Sequence, residues 1–353
     1  MKHRALISSL LAAAFLALPL AYADRVDDYI KTEMDQHRIP GVALTIIQNG
    51  QAIKTAAYGL ANLELAVPVK PDTVFEIGSV TKQFTAAGIL LLAQDGKLSV
   101  DDKLAAHLAN IPGPWTNVTI RHLLTHTSGI KSYTGLDGFQ LTKHLTQSQF
   151  IRAIGREPME FAPGESWKYS NTGFSLLGYI IENASGQNYW DFMSERIFQP
   201  LGMNATTNRL PGLVIPNRAS GYEQTNQVHI NRDYDLTEVS SAGAIASTVG
   251  DLAKWNVALD GEMLLSAASK VQMWTPAKLN DGKATKYGFG WFVEAVDGHR
   301  NIGHGGSTSG FSATIQRFPD DKLAIIILTN TDEQIATTLA KKIATFYSAR
   351  TTR

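Results

Sequence analysis

Apolar and polar positions change period several times along this chain, and each change marks an element. Val26, Tyr29, Ile30 and Met34 recur at helical spacing, which predicts an amphipathic helix from Arg25 to Ile39. Val42-Ala43-Leu44-Thr45-Ile46-Ile47 then reads as a buried strand. Asn49-Gly50 is a strong hairpin signal, and Ala52 to Tyr58 returns as the partner strand. Ser79 to Gln94 is apolar on almost every side, through Phe84, Ala87, Ile89, Leu90, Leu91 and Leu92, which predicts a helix buried in the middle of the protein. Between about 100 and 275, helical segments, among them Leu176 to Glu182 and Tyr189 to Phe198, alternate with loops such as Ile111-Pro112-Gly113-Pro114 and Pro163-Gly164. Strands are then expected over Tyr287 to Val296, Phe311 to Phe318 and Leu323 to Leu328, with a turn at Pro319-Asp320-Asp321. A last helix is expected from Glu333 to Tyr347.

Strands thus sit at both ends of the chain, and a helical block lies between them. The ends must meet to complete one sheet, which predicts an α+β fold with a cleft where sheet and insertion join. The sheet domain is expected from residues 24–80 and 285–353, and the mostly helical domain from 81–284.

The first residues follow a different pattern. Lys2 and Arg4 precede an uncharged apolar run from Ala5 to Leu20, and Ala21-Tyr22-Ala23 supplies a small-x-small cleavage site. Residues 1–23 therefore read as a secretory signal peptide, and the mature protein is expected in the periplasm or secreted, with no membrane insertion after cleavage. Apolar residues make up 44% of the chain and charged residues 18%, the profile of a globular protein with a large core. The 32 basic and 32 acidic residues cancel without a long basic block, so nucleic acid is not an expected partner. The chain has 0 cysteines, which excludes disulfides, thiolate catalysis and cysteine–zinc sites.

Three short motifs carry chemistry. In Ser79-Val80-Thr81-Lys82 an amine lies one helical turn from a hydroxyl, so the two meet on one helix face. A serine is a poor nucleophile until a base takes its proton. The helix N-terminus and the apolar surroundings disfavour a charged Lys82, which suits a general base. Taken alone, Ser79 is as readily a helix N-cap, and a second copy, Ser128-Gly129-Ile130-Lys131, lies in a turn and opens no apolar helix. In Tyr169-Ser170-Asn171 the phenol can relay a proton if nearby cations hold its pKa down, and the Asn171 amide can both donate and accept. His304-Gly305-Gly306-Ser307 is read as the start of a strand, where glycines let a substrate backbone approach and backbone N–H groups can complete an oxyanion hole.

These motifs occur in the order and with about the separations of the serine β-lactamase and penicillin-binding-protein superfamily, and the chain most resembles its class C-related branch. Leu123-Leu124-Thr125-His126-Thr127-Ser128-Gly129, Pro200-Leu201-Gly202-Met203, Gly250-Asp251-Leu252-Ala253-Lys254-Trp255 and Gly303-His304-Gly305-Gly306 extend the resemblance over about residues 26–347. The resemblance implies an antiparallel sheet flanked by helices, plus a helical domain, with the site between them. It implies Ser79 as the acylated nucleophile, Lys82 and Tyr169 sharing the acid and base work, and Asn171 positioning Lys82 and substrate. The backbone N–H groups of Ser79 and Ser307 would bind the oxyanion, and no cofactor is implied. His304 stands where β-lactamases carry the Lys of a Lys-Thr-Gly triad. Its charge is expected to vary with pH, and the Thr hydroxyl is missing.

The function expected is an exported serine hydrolase acting on amide or ester bonds, of a D-amino-acid-containing peptide or a small ester. A class C-like β-lactamase and a non-catalytic binder of cell-wall peptides are the alternatives. Weaker candidates are His122 and His126, four apart but without a third metal ligand, and a rival triplet Lys286-Tyr287-Gly288 ahead of the wrong strand. No metal site is expected.

Overall fold

The computed structural model describes residues 25–348 apart from 141, 210–211, 227 and 233–239; the expected signal peptide lies outside the described residues. Helix α1 covers residues 25–37. Strands β1 (Gly41–Gln48) and β2 (Gln51–Asn62) follow as a hairpin. Asn49 and Gly50 both take positive φ, 53° and 77°, which matches the twist of the flanking strands. The short β3 is Val67–Pro68. Near the C-terminus come β4 (Phe292–Val296), β5 (His299–Thr308), β6 (Phe311–Phe318) and β7 (Leu323–Thr329). They form one seven-stranded sheet in the order β3-β2-β1-β7-β6-β5-β4. The β1/β7 pair joins the two ends of the chain, antiparallel, with Leu44 opposite Ile327.

Both faces of this sheet are covered, which is why β1 and β7 are almost continuously apolar. On one face Val42, Leu44, Ile325 and Ile327 pack with Val26 and Ile30 of α1 and with Leu339 and Ile343 of the last helix, α5 (Ala336–Ser348). On the other, Ala43, Ile326 and Leu328 join a larger core. That core includes α2 (Thr81–Gln94), α3 (Asn171–Ser185) and α4 (Val249–Ala258). Every residue of α2 from Thr81 to Leu92 is buried, the central placement that its all-round apolar sequence requires.

Two strand readings change. The strand expected from Tyr287 begins only at Phe292. At Gly288 and Gly290 a side chain would strike the backbone of Met273 and of Lys82, so this stretch is a turn pressed against α2. His304–Ser307 lies in the second half of a ten-residue strand, not at its start. The hairpin before it is Asp297-Gly298, both at positive φ (50° and 84°), a turn signal equal to Asn49-Gly50.

Candidate active site

Ser79 sits in a single 3-10 turn, Gly78–Val80, that leads into α2. Its hydroxyl caps no helix N–H: α2 begins after Val80 with no side-chain cap. Instead Lys82 Nζ lies 3.0 Å from the Ser79 Oγ, 2.8 Å from the Asn171 Oδ1 and 2.7 Å from the Ala242 carbonyl oxygen. Lys82 is 0% exposed, and burial holds its pKa well below the ordinary lysine value. The geometry divides the amine's valences. Asn171 Oδ1 and Ala242 O can only accept, so they take the two N–H groups of a neutral amine. Its lone pair is left for the one partner that can donate, Ser79 O–H.

Tyr169 comes from the segment before α3, and its ring lies 4.9 Å from Lys82 Nζ. The His126 ring packs against it, tilted by 36°, with centroids 4.2 Å apart. The hydroxyl is shut off from solvent and makes no well-formed hydrogen bond, though the Ser79 side chain is near enough to ease its ionisation. Burial dominates and pushes the phenol's pKa up. Nearby cations therefore do not hold it down as the sequence reading required, and Tyr169 stands as a neutral phenol.

The backbone of β5 meets the Ser79 turn edge to edge. Strand β4 pairs with β5 only from His299 to Gly303, so from His304 onward one edge of β5 is left uncovered by β4. The Gly78–Val80 turn packs there. A Cβ on Gly306 would lie 2.8 Å from Ser79 N, and one on Gly78 would lie 2.6 Å from Ser307 N. The two glycines thus let the Ser79 turn and the Ser307 stretch of β5 approach backbone to backbone, and Gly78 takes the positive φ (49°) that the turn demands.

His304 is placed differently from expectation. It is 2% exposed, with Nδ1 at 2.5 Å from Gly305 O and Nε2 at 2.8 Å from the Tyr287 hydroxyl. A carbonyl only accepts, so Nδ1 carries the proton and Nε2 accepts from Tyr287. Burial above all lowers its pKa to about 3, against a smaller opposing effect of the Gly305 carbonyl. The imidazole is neutral over the whole ordinary pH range, which corrects the expectation of a pH-dependent charge. Tyr287, of the triplet Lys286-Tyr287-Gly288 that precedes the wrong strand, is brought back over β5 by the turn at Gly288 and Gly290.

The remaining histidine candidates are used locally. His122 Nδ1 accepts from the Thr119 N–H as a helix cap, and His126 Nδ1 accepts from the Ser170 N–H. A cavity of about 610 Å³ lined by Ser79, Tyr169, His304 and Gly306 runs from this site toward α5. A slightly larger one, about 680 Å³, runs along α3 and holds none of these groups, so volume does not mark the chemistry.

The beta-lactamase family model matches residues 26–347. The chain belongs to the beta-lactamase family. Among curated relatives, penicillin-binding protein 4* of Bacillus subtilis is 34% identical over 323 residues, covering 85% of this chain and 70% of that protein. The chain spans about two thirds of the length of the curated relatives it matches. Of solved structures, a penicillin-binding protein from Bacillus halodurans superposes with TM-score 0.79 at 27% identity, over 90% of this chain and 98% of that one. A D-stereospecific amidohydrolase from Streptomyces sp. superposes with TM-score 0.75 at 26% identity, over 88% and 94%. As a beta-lactamase-family protein with these neighbours, the chain is a serine hydrolase. Among the described residues no helix is long and apolar enough to cross a membrane.

Proposed function

We propose that this protein is an exported hydrolase that cleaves the amide or ester bond of D-amino-acid derivatives or small esters through an acyl-enzyme on Ser79. The observation that carries it is the set of three neutral partners around buried Lys82. It leaves an amine whose lone pair faces the hydroxyl it must deprotonate. Ser79 Oγ passes its proton to Lys82 Nζ and bonds to the substrate carbonyl carbon. The N–H groups of Ser79 and Ser307 hold the oxyanion as it forms. Tyr169, neutral and beside both groups, gives its proton to the leaving nitrogen or oxygen as the acyl bond breaks, and recovers one from the Lys82 ammonium. Water then attacks the acyl carbon, losing a proton to the same pair, and Ser79 Oγ departs with that proton. In this reading Lys82 is the base and Tyr169 the acid of acylation.

The neighbouring D-stereospecific amidohydrolase supports a D-amino amide as substrate class. The class C-like β-lactamase reading is weaker. Neutral His304 stands where an ammonium would meet a carboxylate, and Gly305 carries no hydroxyl. A pure binder has no use for a lysine held deprotonated against a serine, since burying it costs stability. Export rests on residues 1–23, and the penicillin-binding-like relatives agree with it. The test is initial rates on a D-alanyl amide and a short-chain ester, with Ser79→Ala as blank. Ser79-dependent cleavage of either is the expected result. No cleavage of either, together with no serine-directed phosphonate labelling, would favour the binder.

A further inference from the structure

Where the Ser79 turn meets β5, glycines on both sides leave the contact without interlocking side chains. A Cβ on Gly306 would lie 2.0 Å from Ile77 O, and one on Gly78 would lie 2.8 Å from Ser307 O. Phe75 and Phe311 pack edge to face beside this contact, with ring centroids 6.4 Å apart. Apolar contact is non-directional, so it does not fix how one backbone sits against the other. A directional tie is needed if the N–H groups of Ser79 and Ser307 are to serve one oxygen.

Such a tie lies just outside the glycines. Glu76 ends a two-residue strand, Phe75–Glu76, three residues before Ser79. Thr308 ends β5, directly after Ser307. The Thr308 hydroxyl donates to Glu76 Oε2 at 2.9 Å. Oε1 of the same carboxylate accepts from Arg209 Nε, and Arg218 lies 4.0 Å from it. Glu76 and Arg209 are both buried. Burial pushes the Glu76 pKa up, and the charge of Arg209 is the largest influence opposing it. A buried carboxylate is tolerated only when its oxygens are met, and a hydrogen bond to a charged group is stronger than one between neutral groups. Arg209 is itself fixed, because its backbone N–H donates to Ala244 O at 2.9 Å. Ala244 lies two residues beyond Ala242, whose carbonyl receives Lys82. One carboxylate thus connects the segments that carry Ser79, Ser307 and an acceptor of Lys82.

We propose that Glu76 and Thr308 are positioning residues for the oxyanion hole, their hydrogen bond holding the Ser79 turn and the Ser307 stretch of β5 at the separation that lets both N–H groups meet the oxyanion. This rests on the reading above, in which those two N–H groups bind it. The oxyanion exists only as the acyl bond forms and breaks, so the tie acts on turnover and not on substrate binding.

The test uses the whole mature protein with Thr308→Val, which keeps the shape and removes the donor, and Thr308→Ser, which keeps the hydroxyl. On a D-alanyl amide, Thr308→Val should lower kcat by about 10- to 100-fold with KM within about two-fold of the parent. Thr308→Ser should restore kcat to within about three-fold. The rate at which a phosphonate labels Ser79 should fall in Thr308→Val by a similar factor, because its tetrahedral anion uses the same N–H groups and needs no turnover. Should Thr308→Val not fold, Thr308→Ala makes the same comparison. Unchanged kcat and labelling in a folded variant without the hydroxyl, a change confined to KM, or a loss that Thr308→Ser does not restore would each overturn the tie. A parent that cleaves neither amide nor ester, with labelling that still depends on the Thr308 hydroxyl, would overturn the proposed reaction alone. A parent that neither turns over nor labels would overturn both.

Discussion

The chain carries the same spacing twice, in Ser79-Val80-Thr81-Lys82 and Ser128-Gly129-Ile130-Lys131, and the fold treats the two oppositely. Lys82 is fully buried among neutral partners, one of them the Ser79 hydroxyl, and its pKa is lowered. Lys131 is 33% exposed, turned to the Glu157 carboxylate at 2.9 Å, and its pKa is raised by that bond. Ser128 is buried, and its Oγ accepts from the Ile130 N–H instead of meeting the lysine. Spacing on a helix places two groups within reach, but the surroundings decide whether the amine is a base or a cation. The first pair lies at the entrance to a helix buried on all sides; the second lies in a buried bend from which only the Lys131 side chain reaches solvent.

Replacing the members of the first pair tests its role most strongly. Ser79→Ala should reduce kcat on a D-alanyl amide by about 10⁴-fold or more, and Lys82→Ala by a comparable factor. Tyr169→Phe removes the proposed acid and should cost about 10²- to 10⁴-fold in kcat with the fold unchanged. Near-normal turnover by the Ser79 variant would sink the whole assignment. Normal turnover by Tyr169→Phe would remove only the proton donor.

The two neighbourhoods were not equally legible. The β1–β2 hairpin follows from Asn49-Gly50 because its turn chemistry is local. The buried helix follows from an apolar run that no surface helix can carry. The equally local Asp297-Gly298 turn was available too, and reading it would have put His304 late in its strand. What sequence could not give is contact between distant segments. The third partner of Lys82 is a backbone carbonyl at Ala242, and the partner of His304 is Tyr287, carried in by a turn folded against α2. Without these, Tyr169 was expected to be eased by cations and His304 to titrate. Burial reverses both expectations.

The pH dependence of stability distinguishes these buried groups next. His304 is neutral in the fold down to about pH 3, whereas an unfolded histidine takes up a proton near its ordinary value. Below about pH 6.5 the unfolded chain therefore binds one more proton than the native one. Stability should fall as pH drops from there toward 3, with a slope of about 1.4 kcal/mol per pH unit at most. His304→Asn should remove that part of the decline in chemical denaturation series. An unchanged slope would mean that the imidazole is protonated in place.

The two lysines should show slopes of opposite sign, and this is the finest division between the two tetrads. Lys82 has a folded pKa below that of the unfolded chain, so between the two values the unfolded state binds more protons. Relative to Lys82→Met, the parent protein should gain stability as pH rises toward about 10.5, where both states become neutral. Lys131 has a folded pKa raised by Glu157, so its contribution is present below the unfolded value and is lost as pH rises through the folded one. Relative to Lys131→Met, the parent should therefore lose stability at high pH. The effect is small because the pair is solvent-screened, and it should shrink further with added salt. Lys131→Met should also leave turnover unchanged. Slopes of the same sign for the two variants would mean that Lys82 is held as a cation, and the neutral amine on which the Ser79 chemistry depends would be lost with it.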